Sequence, residues 1–165
     1  MLLTFILVLA FLIGCVCGLR AMIGPAIICW GVHLGWLQLD DSKLAFLGSP
    51  ISLVVFTALA AGELVADKLP FTPSRTMPAS LVIRFALGAL CGLAFSVSAE
   101  TAWLPGASLA GIGAVAASYG GYHVRRWLTI GRGLPDFPVA LVEDAVAVGM
   151  GLFLVSPVRF SGPPL

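Results

Sequence analysis

Six ionisable residues stand inside or at the margin of apolar stretches of this sequence: Arg20, Glu63, Asp67, Arg84, Glu143 and Asp144. Glu63 and Asp67 are four residues apart, which puts them on one helix face about a turn from each other. Glu143 and Asp144 are adjacent and point about 100° apart, so one partner cannot readily serve both. A carboxylate in an apolar medium costs at least a few kcal/mol unless it finds a cation, water or a ligand. Carboxylates placed this way can bind a cation or relay protons, and arginines can balance them or contact an anion. The alternative is a purely structural set of ion pairs, Arg84 taking one or two carboxylates and Arg20 another. Four carboxylates face two arginines in these stretches. The excess implies at least one acid that is protonated, hydrated or a ligand. His33 and His123 fall at segment ends and read as satisfied or interfacial side chains.

The elements that must carry these residues are apolar almost throughout. Of 165 residues, 59% are hydrophobic and only 10% charged, with a mean hydropathy of +1.05. A soluble domain carries about 25% charged residues, so the composition predicts one integral membrane domain over residues 1–165. The net charge of +1 leaves no basic stripe for nucleic acid. Cys15, Cys17, Cys29 and Cys91 lie in apolar runs with no paired His or Cys motif, so they read as packing residues rather than metal ligands. No cofactor motif is present.

Residues 1–19 form a first apolar segment without a basic leader or a cleavage site before a polar chain. After Arg20 a second apolar stretch, 21–37, contains Gly24-Pro25, which should break or kink a helix. Residues 1–36 are too long for one span, since about 20 suffice. Further spans are expected at 51–69, 79–98, 106–123 and 137–155, giving an all-α polytopic bundle of about five spans, or six if 21–37 crosses separately. Lys68, Arg75, Arg125, Arg126 and Arg132 fall in loops on one face, which the positive-inside tendency makes cytoplasmic. Glu63, Asp67, Arg84, Glu143 and Asp144 then share a depth in the inner half of the membrane. Arg20 falls at the centre of the long first segment or at its outer end.

Small residues recur four apart: Gly14 and Gly18; Ala58, Gly62 and Ala66; Gly88 and Gly92; Gly113, Ala117 and Gly121; Ala147 and Gly151. Such faces let membrane helices approach closely, within one chain or in a homodimer. Leu64-Val65-Ala66-Asp67 is echoed by Leu141-Val142-Glu143-Asp144, with the halves inverted. Inverted repeats occur in secondary transporters, although a match this short is also what chance supplies.

The set Gly18-Leu19-Arg20, Glu63, Ala66-Asp67-Lys68-Leu69-Pro70, Arg84 and Glu143-Asp144 resembles small bacterial inner-membrane proteins grouped only as a domain of unknown function. The resemblance implies a multi-span inner-membrane protein and no established activity. Three functions fit the residues. The first is a transporter or channel for a small ion or solute, enclosed by a homodimer, with Glu63, Asp67, Glu143, Asp144, Arg20 and Arg84 along its path. The second is an assembly protein holding other membrane proteins, the charges being internal ties. The third, an enzyme on lipid head groups using carboxylate-held Mg²⁺, lacks a nucleophile or a tight Asp motif, so no enzymatic activity is expected.

Overall fold

The computed structural model describes residues 2–66 and 77–156, and its regular structure is entirely helical. Six α-helices follow one another among the described residues: α1 Leu2–Leu19, α2 Ile23–His33, α3 Pro50–Ala66, α4 Pro78–Ser98, α5 Trp103–Arg126 and α6 Asp136–Val155. A 3₁₀ turn, Ala45–Gly48, precedes α3, and a π turn, Trp127–Gly131, extends α5. The expected spans match α3 to α6 within about one turn at each described end.

The first apolar stretch is broken, as expected, but the break lies at residues 20–22, before Gly24-Pro25. Pro25 sits in the first turn of α2, where a missing N–H has no helical partner to lose. Gly24 faces α1, and a Cβ there would fall on the Cys17 sulfur. Its lack of a side chain lets the chain double back against the helix it has just left. Residues 21–37 therefore contain a separate helix running against α1; at 11 residues it is shorter than the two helices long enough to cross a membrane. Gly35 closes α2 with φ +73°, and Trp36 N–H donates to the Gly31 carbonyl at 2.8 Å. That backbone conformation is cheap only for glycine.

The chain alternates in direction. Glu63 meets the start of α2 while Thr57 meets Trp30 nearer its end, so α3 runs against α2. Arg20 meets Asp144 while Gly151 lies against Val16, so α6 runs against α1. Residues 34–49 return along the far end of the bundle, with Leu37, Leu39 and Leu47 buried and Gln38 N–H donating to Ser98 Oγ. Ser49 starts α3 by accepting the Ser52 N–H at 3.1 Å, with Pro50 in the first helical position.

Glycine and alanine set the packing of the central trio α1, α4 and α5. A Cβ on Gly14 or Gly18 would overlap the backbone of Ala110 or Ala114, and one on Gly92 would overlap Gly106. Close backbone approach of this kind is what small-residue faces provide. α3 is peripheral: Ala60 is its one buried residue among those described, and Ala58, Gly62 and Ala66 all face outward.

Candidate functional site

The polar centre is the break between α1 and α2. A helix that stops inside a bundle exposes carbonyls at its C-terminus and N–H groups at its N-terminus, and these need partners. At the α1 end, the Gly18 carbonyl accepts from an Arg84 guanidinium N–H and, at 3.1 Å, from the Ser118 hydroxyl, whose one hydrogen it shares with the nearer Ala114 carbonyl at 2.7 Å. At the α2 end, the Glu63 carboxylate accepts the Ala21 and Met22 N–H groups, each at 2.8 Å, one on each oxygen. A cation thus meets the negative end of α1 and an anion the positive end of α2, the arrangement that helix dipoles favour. The two charged groups also face each other, Arg84 to Glu63 at 3.6 Å.

Arg20 occupies the break itself. Its side chain is fully buried and lies 2.5 Å from Asp144 on α6. Asp144 is 8% exposed, and Arg84 is 6% exposed. Charges this deep are tolerated only as pairs, and α3, α4 and α6 each contribute one member to the pairs around the break.

Four of the six residues singled out from the sequence meet here: Arg20, Glu63, Arg84 and Asp144. Arg20 lies at the level of the others rather than at the middle or outer end of a long helix, because α1 stops at Leu19. Glu143 does not join them. It points toward Arg125, 3.9 Å away, while Arg125 holds Asp136 through two bonds of 2.8 and 2.7 Å. The divergence of Glu143 and Asp144 follows from their adjacency on α6, as expected. Arg125 adds a third guanidinium to the two counted from the sequence, and each described carboxylate of the set has a guanidinium within 4 Å, while Arg125 also serves Asp136. Asp67 lies outside the described residues.

Sequence reasoning missed Ser118, the backbone N–H groups of Ala21 and Met22, and the inward reach of Arg125. Ser118 had a signal: it continues the four-residue spacing of Ala110 and Ala114, both fully buried, along α5. The two N–H groups had none, since only the position of the break makes them donors.

A cavity of about 510 Å³ reaches this centre from the side of the bundle, between α3 and α4. Glu63, Arg84 and Ser80 supply its polar groups, and Leu59, Met77 and Ile83 form apolar walls. A smaller cavity of about 270 Å³ lies between α5 and α6, against Arg125 and Glu143. Among the described residues, no group of three His, Cys, Asp or Glu side chains is placed to hold a metal ion.

The fold and site define an all-helical bundle with a charged centre at a helix break, two of whose helices, α4 and α6, are long and apolar enough to cross a membrane. The chain belongs to the family described as Domain of unknown function (DUF4126), whose model matches residues 7–160. No curated protein and no solved structure is matched by the chain.

Proposed function

We propose that the chain is a multi-pass membrane protein of the bacterial inner membrane that admits a small ion or solute to the centre at the α1–α2 break, acting as a transporter or channel without catalysing a reaction. The observation that carries this reading is the cavity of about 510 Å³ that ends on Glu63 and Arg84, the two groups holding the broken helix ends. Discontinuous helices whose ends meet charged groups are a recurring way for transporters to bind substrates inside a membrane. Non-helical backbone at that depth is tolerated where protein buries it or a cavity meets it.

In this reading α1 descends from the outer face, turns at residues 20–22 in the inner half, and α2 climbs back. Eleven residues rise only about 16 Å, so the α1–α2 pair is a re-entrant hairpin. The end bearing Arg125, Arg126 and Arg132 faces the cytoplasm. The start of α1, the end of α6 and residues 34–49 then lie outside, and the end of α3 and the start of α4 lie inside; Lys68 and Arg75 fall outside the described residues. The test is flux. Purified protein in liposomes should move a solute from a panel of ions and small metabolites under an imposed gradient, and Glu63→Gln should slow it at least about tenfold. No movement with any solute, together with normal growth of a Glu63→Gln strain, ends the transport reading.

A second reading has its own observation. The Ala58, Gly62 and Ala66 stripe on α3 faces outward, and a Cβ on Gly62 would meet nothing within 4 Å. Such a face fits another membrane helix, from a second copy or from a different protein. Under this reading the ion pairs are ties, and a stoichiometric partner should co-purify in mild detergent.

A further inference from the structure

We propose that the α3–α4 cavity binds an amphiphile carrying no net charge: an apolar body against the cavity walls and a zwitterionic or uncharged polar head at the Glu63–Arg84 pair. This deepens the transport reading and rests on it for the placement of the cavity within a membrane. The volume of about 510 Å³ falls in the range of small-molecule sites, roughly 300–1,000 Å³.

Two features set the ligand class. The floor carries one carboxylate and one guanidinium, 3.6 Å apart, and no other charged side chain lines the cavity among the described residues. The charges of the described lining cancel, and in a poorly solvated site they give a net charge no balancing partner, so a bare cation or anion entering it loses hydration without full compensation. A zwitterion laid against the pair places its cationic group toward Glu63 and its anionic group toward Arg84, and the Ser80 hydroxyl adds a neutral polar contact. The walls oppose a hydrated ion or a sugar for the same reason, because Leu59, Met77 and Ile83 offer it no hydrogen bond. The opening points the same way. Leu59 on α3 and Ile83 on α4 are 46% and 51% exposed on the outside of the bundle, so a molecule dissolved in the lipid layer reaches the cavity sideways.

The test uses the full chain in detergent, native mass spectrometry, and three probes of matched chain length: lysophosphatidylcholine, lysophosphatidylglycerol and an alkyltrimethylammonium salt. The expected result is saturable one-to-one binding of lysophosphatidylcholine, about tenfold tighter than either charged probe. Ile83→Trp and, from the opposite wall, Leu59→Trp should each weaken it by about tenfold while helix content by circular dichroism stays that of the wild type. Both positions face outward, so a tryptophan can be accommodated there without invading the core. Equal binding of the three probes, preference for a charged one, or unchanged binding in both tryptophan variants overturns the proposal. A chain that binds lysophosphatidylcholine here but moves nothing across liposomes keeps the site and loses the transport reading. Flux of a small ion with no head-group preference overturns the site alone.

Discussion

At the scale of single residues, the three acid–arginine pairs differ in what their loss should do. Asp144→Asn leaves Arg20, which is fully buried, without its nearest anion. Breaking a buried pair from one side costs about 3–5 kcal/mol, so thermal unfolding in detergent should fall sharply. Arg20→Met combined with Asp144→Leu should recover much of the loss, because removing both charges leaves none stranded. Glu143→Gln is expected to cost less than Asp144→Asn, since the contact of Glu143 to Arg125 is long, at 3.9 Å, and Arg125 keeps Asp136. A Glu143 variant as damaging as Asp144→Asn would contradict this assignment of partners. The six residue types were legible in the sequence because charge stands out against apolar neighbours. Their pairing was not, since the third arginine, Arg125, sits in a run that reads as a solvated rim.

Elements decide why the centre lies where it does. The Gly24-Pro25 signal pointed to the right stretch of chain, yet the helix stops earlier, because its loose ends are satisfied by side chains far away in sequence. Glu63 holds the new helix start and Arg84 and Ser118 hold the old helix end. Local propensity carries no record of such partners, whereas the long apolar runs of α3 to α6 fix their own boundaries well. The α1–α4 contact gives a direct check on packing. Cys17 and Cys91 place their sulfurs 3.7 Å apart with both side chains buried. A membrane-permeant oxidant such as copper–phenanthroline should therefore remove one pair of the thiols counted after denaturation. The Cys17→Ser variant should keep all of its thiols under the same treatment. Loss of thiols in that variant would mean that the pairing lies elsewhere. Glycine positions separate in the same way. Gly14→Leu drives a side chain into the Ala110 backbone and should prevent folding, whereas Gly62→Leu meets open space and should leave the monomer's stability within about 0.5 kcal/mol of wild type.

For the whole molecule, the alternation of six helices puts residues 34–49 at one end and the Trp127–Gly131 turn at the other. With the native cysteines replaced, a single cysteine at Asp41 should react with a membrane-impermeant maleimide added to intact cells lacking an outer membrane. One at Gly131 should react only after lysis, and the opposite pattern would invert the orientation. If α3 supports a dimer, Gly62→Leu should shift the particle in detergent from dimer to monomer by light scattering without unfolding it. Composition and the small-residue spacing made the helical class readable from the chain alone. The cavity was not readable, because it comes from α3 standing apart from α4, and neither helix carries a signal for a gap between them.

The Arg20–Asp144 pair also bears on how the molecule is made. During synthesis Arg20 emerges well before Asp144, with α2 to α5 between them. Until α6 arrives, the first hairpin holds a guanidinium with its nearest carboxylate still unmade. If the bundle inserts into a membrane, the nascent chain should therefore stay with the insertion machinery, or keep its first hairpin out of the lipid, until α6 has been translated. A chain truncated before α6 should be a ready substrate for membrane proteases rather than a stable fragment.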